Sequence, residues 1–226
     1  MPVKKEMKNP EKFAADVLVA GATGLIGGAV IRLLYDDPSA GNVIALTRRK
    51  IPSLPEVARM RQEVMDFDRL EASGRQISAR TVVCALGTTI KKAGSQETFR
   101  EVDYGLPMRL AEIAVKNGCE KFILISAVGA DPNSPVFYNK VKGELERDLE
   151  KIGFKTLHII RPSLLLGDRE EFRLGEEIGK MMVKPFQFLI PGKYKPVHAG
   201  VIAQKIRSLL DDDTLGVHVY EGGQIT

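Results

Sequence analysis

A chain of 226 residues that is 44% hydrophobic and 27% charged can build one large α/β domain, or a domain with a small appendage. It has no run of about 18 apolar residues, so no membrane-spanning helix is expected. Its net charge of +4 is interspersed apart from short patches at Lys4–Lys12 and Arg48–Lys50, so nucleic acid is not expected as a partner, whereas an anionic cofactor could use part of the surplus. Cys84 lies in an apolar run and Cys119 in a turn, with three histidines and no Cys/His cluster, which argues against a disulfide framework or a metal site and for a reducing compartment. Met1–Lys12 is polar and lacks an apolar signal core. The expectation is therefore a cytoplasmic protein with a loosely packed N-terminal lead.

Strand-like runs fall at Val17–Ala20, Val43–Thr47, Gln62–Met65, Thr81–Ala85, Lys121–Ser126 and Thr156–Ile160. Helical patterns lie between them at Leu25–Tyr35, Gln96–Lys116 (broken near Pro107) and Val136–Ile152. This alternation predicts an α/β fold, a doubly wound parallel sheet with right-handed crossovers. Beyond Arg161 the pattern changes to a helix at Glu170–Met182, an irregular connection at Pro185–Pro196, an amphipathic helix at Ala199–Leu210 and a last strand at Val217–Tyr220. That tail is too short for a second domain. The expectation is one domain over 1–226, with a dinucleotide-binding core at 13–165 and a small substrate-side cap, last helix and strand at 166–226.

The stretch Asp16–Gly28, DVLVAGATGLIGG, organises the rest. A buried strand, glycines at Gly21, Gly24 and Gly27, and a helix follow one another. The helix N-terminus then lies at the carboxyl end of the strand, where its free amides and positive dipole end suit a pyrophosphate. Glycines let the backbone approach the phosphates and the helix pack close to the sheet.

At the end of the second strand stand Arg48 and Arg49, where an acidic residue would select a ribose 2′-hydroxyl; two guanidiniums instead favour a 2′-phosphate, hence NADP(H) over NAD(H). The third strand closes in Met65-Asp66-Phe67-Asp68. Here Asp66 is assigned to the adenine amino group beside Phe67 and Asp68 to a helix cap, although either carboxylate could cap. Small residues in Ala85-Leu86-Gly87-Thr88-Thr89 leave room for a nicotinamide ribose. The fifth strand ends at Ser126, and Tyr138 and Lys142 follow four residues apart on one helical face. A phenol with a pKa of ~10 needs a neighbouring ammonium before it can work at neutral pH, and Ser126 would hold a substrate carbonyl by hydrogen bond. His158 reads as a satisfied structural histidine and His198 as a helix-start residue. Phe186, Phe188 and Leu189 read as packing residues, and Met181-Met182 as core or an adaptable pocket wall.

With these residues in view, the chain resembles the atypical branch of the short-chain dehydrogenase/reductases, and more narrowly the Tat-interacting-protein-like oxidoreductases. The stretches that carry the resemblance are GATGLIGG, LTRRK, CALGTT, VDYGLP, SAVGADPNSPVFYNKVKGELE and RPSLLLGDREEFR, over Val17–Leu174, with a weaker echo in KYKPVHAGVIAQKI. The resemblance implies an NADP(H)-binding Rossmann fold. It places Gly21, Thr23, Gly24, Leu25, Ile26 and Gly27 at the pyrophosphate and Arg48 and Arg49 at the 2′-phosphate. Leu86, Gly87 and Thr88 then lie on the path to the nicotinamide, Arg161-Pro162-Ser163 over its carboxamide, and Ser126, Tyr138 and Lys142 at the chemistry. Where many relatives carry an Asn that supports the lysine, this chain reads Glu101-Val102-Asp103-Tyr104. The expected activity is NADPH-dependent reduction of a small carbonyl compound with Tyr138 as general acid. The alternatives are an NADPH-sensing regulator or scaffold with little turnover, and a nucleotide-sugar epimerase-like enzyme. A protein partner or a homo-oligomer remains open.

Overall fold

The computed structural model describes residues 15–54, 57–166 and 196–225. The expectations for Met1–Lys12, for the helix at Glu170–Met182, for the connection from Pro185, and for Met181, Met182, Phe186, Phe188 and Leu189 lie outside the described residues.

Seven strands form one parallel sheet. They are β1 (Ala15–Ala20), β2 (Val43–Thr47), β3 (Met60–Val64), β4 (Ala79–Cys84), β5 (Lys121–Ile125), β6 (Thr156–Arg161) and β9 (Gly216–Glu221), in the spatial order β3-β2-β1-β4-β5-β6-β9. Two-residue strands β7 (Leu165–Leu166) and β8 (Val197–His198) make a separate parallel pair. Among the described residues the α-helices are α1 (Leu25–Asp36), α2 (Ile90–Ala93), α3 (Gln96–Arg100), α4 (Leu106–Lys116), α5 (Phe137–Leu149) and α6 (Ala199–Leu210).

The central strands are mainly apolar because both their faces are covered. Leu18 and Ala20 of β1 belong to a core layer with α4, α5 and the 3₁₀ segment Phe67–Gln76. Val17 and Val19 face the opposite layer, built with α1 and α6. The chain order reverses across β1 and β4, and the crevice at their carboxyl ends is where ligands bind in such sheets.

Three details differ from the sequence reading. First, β3 begins at Met60, ahead of its apolar signal, because this strand lies at the sheet edge, where half-exposed polar residues are tolerated. Second, the helix expected to break near Pro107 instead widens into a π turn at Glu101–Gly105. Pro107 has no N–H to return to the carbonyl four residues back, at Asp103, and the ladder shifts register just ahead of it. Third, the last helix and strand of the tail join the core. Here β9 pairs along its length with β6, and α6 packs in the same layer as α1.

Candidate functional site

The glycine turn is built as its sequence requires. Gly21 sits at φ +85, and a Cβ there would lie 2.4 Å from the Ala85 carbonyl oxygen, so neither conformation nor space admits a side chain. A Cβ on Gly27 would lie 2.2 Å from the Gly21 oxygen, which seats the first turn of α1 directly on β1's exit. The turn is closed by the Gly24 amide donating to Gly21 at 2.9 Å. At the N-cap, Gly24 offers no side chain to the first-turn amides of α1, so these donors stay available to a ligand. Thr23 is exposed beside them, while Leu25 and Ile26 line the adjoining cavity.

Arg48, Arg49 and Lys50 are exposed where β2 ends. Asp66 caps the 3₁₀ segment itself, accepting the Asp68 amide at 3.0 Å, so the assignment that gave the cap to Asp68 is reversed. Phe67 turns its ring into the core at 4% exposure, and its side chain does not face a ligand at the surface.

A cavity of about 380 Å³ opens beyond the turn, at the carboxyl ends of the central strands. It brings together Leu86, Gly87 and Thr88 from the exit of β4, Ser126 from the end of β5, Tyr138 and Lys142 from α5, and Pro162 and Ser163 from the exit of β6. Tyr138 packs its ring against the fully buried Phe99, with centroids 5.4 Å apart, which fixes the ring while it faces the cavity. The Lys142 ammonium lies 2.7 Å from Oδ1 of Asp103, and both residues are almost wholly buried. The other oxygen of Asp103 accepts the Thr88 amide at 2.7 Å. Burial alone would push the Lys142 ammonium down. The Asp103 carboxylate, with Tyr138 beyond it, outweighs that and holds it above its ordinary value.

Two expectations about side chains are corrected here. Arg161 does not line the cavity: its guanidinium grips both oxygens of the buried Glu146 at 3.1 Å and reaches Glu221 of β9 at 2.6 Å. Hydrogen bonding to Glu146 raises the guanidinium above its ordinary value and keeps it charged. Ser126 does line the cavity, but its hydroxyl donates to Glu146 rather than pointing its proton at a substrate position. It must rotate away from that carboxylate before it can donate to a carbonyl oxygen.

The sequence reading did not assign Asp103, Glu146 or Glu221. A signal for Glu146 existed, because Tyr138, Lys142 and Glu146 recur every four residues and share one face of α5. For Asp103, the departure from Asn was visible, but not that a carboxylate there would pair with the lysine.

The parallel sheet, covered by helices on both faces and with its crevice at the strands' carboxyl ends, defines a Rossmann-like α/β protein. Solved structures agree on the fold. MoeE5 in complex with UDP-glucose and NAD superposes with a TM-score of 0.69 at 16% identity, over 93% of this chain and 79% of that one. UDP-glucose 4-epimerase of Thermotoga maritima, solved with UDP-glucose, gives a TM-score of 0.66 at 17% identity, over 91% of this chain and 76% of that one.

The profile of the HIM1 family matches residues 44–189, and the chain belongs to that family. It is 34% identical over 220 residues to "Protein FMP52, mitochondrial" of Eremothecium gossypii, spanning 93% of this chain and 95% of that protein. It is 35% identical over 170 residues to the protein of the same name from Candida albicans, 72% of each chain. Protein HTATIP2 of Rattus norvegicus is 32% identical over 198 residues, 87% of this chain and 80% of that one. The family expected from sequence is thus the family found.

The expected cytoplasmic location is overturned by the mitochondrial names of the fungal relatives. Two free, buried cysteines call only for a reducing compartment, which does not distinguish the cytoplasm from a mitochondrial interior. Among the described residues no helix is long and apolar enough to cross a membrane.

Proposed function

We propose that this protein binds NADP(H) and reduces a small carbonyl compound, with Tyr138 as the proton donor. The observation that carries the reading is that Tyr138 and Lys142, one turn apart on α5, line the same cavity as Leu25 and Ile26 of the glycine turn. The residues present fit a dinucleotide: an α1 N-terminus with no side-chain cap, and glycines that hold the backbone bare where phosphates would approach. When bound, such a cofactor would supply hydride to a carbonyl carbon.

The chain's own residues do the rest. First-turn amides of α1 hold the diphosphate, and Arg48 and Arg49 hold a 2′-phosphate. Asp66, with its second oxygen beyond the cap, stands near the adenine end. Tyr138 gives its phenolic proton to the carbonyl oxygen as charge develops there. Ser126, once rotated from Glu146, steadies that oxygen. Ile26, Val128, Leu164 and Leu165 make the walls largely apolar, which favours a small apolar substrate and keeps water from the reacting bond.

The test measures NADPH binding, then NADPH oxidation across a panel of aldehydes, ketones and quinones. Tyr138→Phe is expected to leave NADPH affinity nearly unchanged and to lower carbonyl-dependent oxidation at least ~10²-fold. Binding without oxidation by any member of the panel overturns the reductase reading. Two other readings rest on particular observations. A regulator with little turnover draws on the carboxylates that engage Lys142 and Ser126. An epimerase-like enzyme draws on the UDP-glucose named with the structural neighbours, and conversion of UDP-sugars without net cofactor oxidation would support it. For location, we infer mitochondria from the relatives' names, with fractionation of the native host's cells as the check.

A further inference from the structure

We propose that Glu146 is a positioning residue that makes the Ser126 hydroxyl a hydrogen-bond acceptor towards the cavity, and that the substrate is therefore a carbonyl compound with a hydroxyl on the neighbouring carbon. The inference rests on the reading of the cavity as a carbonyl-reducing site and names the class of molecule it takes.

Glu146 stands one turn beyond Lys142 on α5 and is buried behind the cavity wall. Its carboxylate is held from one side by Arg161, whose Nε lies 3.1 Å from each oxygen and whose Nη2 lies 2.5 Å from Oε2. Arg161 is fixed in turn: the register of β6 with β9 sets it beside Glu221, which its Nη1 reaches at 2.6 Å. An unpaired carboxylate is unfavourable at this depth, so the guanidinium keeps Glu146 in one place. From the other side, Oε1 accepts the Ser126 hydroxyl.

A carboxylate offers no donor, and both of these oxygens also accept from the guanidinium, so the proton in the Ser126 contact is the serine's own. A hydroxyl has one proton and two lone pairs. With the proton directed at Glu146, what Ser126 presents to a molecule in the cavity is its oxygen lone pairs. A plain ketone has nothing to donate to them. To engage it, the serine must first leave a charge-assisted hydrogen bond, the stronger kind. A hydroxyl beside the carbonyl removes that conflict, because it donates to Ser126 while the carbonyl oxygen stays open to the proton of Tyr138. Ile26, Val128, Leu164 and Leu165 then suit an apolar substituent on the same molecule. With hydride taken up at the carbonyl carbon from the reduced nicotinamide and the proton at its oxygen, the product is a vicinal diol.

The experiment titrates the cofactor-free protein with α-hydroxyacetophenone and with α-methoxyacetophenone, which differ in whether the second oxygen can donate, and reads binding by ligand-observed NMR. The wild-type protein is expected to bind the hydroxy ketone at least ~10-fold more tightly. Ser126→Ala is expected to bring the two affinities within about twofold of each other. Glu146→Gln separates positioning from mere structure. Its single acceptor oxygen goes to Arg161, its NH2 turns towards Ser126, and the serine proton is released to the cavity. The methoxy ketone is then expected to bind more tightly than it does to the wild type, closing the ratio, whereas a structural loss lowers both affinities together. Equal affinities in the wild type, binding of neither ketone, or a joint fall in Glu146→Gln overturn the proposal. Should Glu146→Gln fail to fold, the ratios for the wild type and Ser126→Ala decide. The titration needs no turnover. A protein that prefers the hydroxy ketone but oxidises NADPH with no carbonyl fails the functional reading alone, and one that reduces carbonyls yet binds the pair equally fails this one alone.

Discussion

Arg48 and Arg49 are exposed at the point where β2 delivers the chain to the crevice, and this makes them available to an anion in a way Arg161 is not. Charge-assisted hydrogen bonds contribute about 1.5–3 kcal/mol each. Replacing both arginines by alanine is therefore expected to weaken NADPH at least ~10-fold and NADH by far less. Cofactor titration of the double variant gives the ratio, and equal losses for the two cofactors would sink the 2′-phosphate assignment. The contrast with Arg161 is instructive about legibility. Tyr138, Lys142 and the paired arginines could be read from the chain because spacing along one element decides where they stand. What Arg161, Ser126 and Lys142 touch is decided by side chains on other elements: Glu146 and Glu221 for the arginine, Glu146 for the serine, Asp103 for the lysine. Such partners come together only once β5, β6, β9 and α5 are assembled, and no local pattern announces them.

At the scale of an element, α1 and its turn make two neighbouring glycines very different. Gly27 faces the Gly21 carbonyl, and the 2.2 Å approach of an added Cβ leaves no soft side chain to yield. Gly28 faces only the Ala22 oxygen at 3.4 Å, an ordinary contact, inside a helix where glycine is unfavourable. Gly28→Ala is expected to hold or raise stability by about 0.5–1 kcal/mol. Gly27→Ala is expected to cost about 1–3 kcal/mol and to abolish dinucleotide binding by displacing the turn. Urea unfolding midpoints of the two variants decide the matter, and equal effects would mean that the turn is not held against the helix as described. Strands β1, β2, β4, β5 and β6 were legible because a buried parallel strand is largely an apolar run, and β3 only in part because the sheet edge admits polar residues. The π turn was not, because Pro107 announces a disturbance without saying whether the helix will end, kink or widen.

At the scale of the whole molecule, the sheet ends in β9, and its attachment to β6 is both apolar and polar. His158 of β6 is fully buried, with Nδ1 3.1 Å from the Tyr220 hydroxyl of β9. Its Nε2 has no hydrogen-bond partner among the described residues, so it is only half the satisfied histidine expected from the sequence. Burial, reinforced by Lys121, His218 and Lys205 against the opposing pull of Asp212, pushes this imidazole from 6.5 down to about 4. A histidine depressed in the folded state is protonated first in the unfolded chain. Its contribution to stability is complete above about pH 6.5 and is lost as the pH falls towards about 4. The shift corresponds to roughly 3 kcal/mol at about 1.4 kcal/mol per unit. Because β9 also carries Glu221, which holds Arg161 and through it Glu146 beneath Ser126, loosening this edge in acid reaches the site as well as the fold. Denaturant unfolding between pH 7 and pH 4.5 is therefore expected to show a steeper loss of stability in the wild-type protein than in His158→Leu, which has no proton to gain. Parallel curves for the two proteins would remove His158 from the acid response and leave the carboxylates of the ion-pair network to account for it.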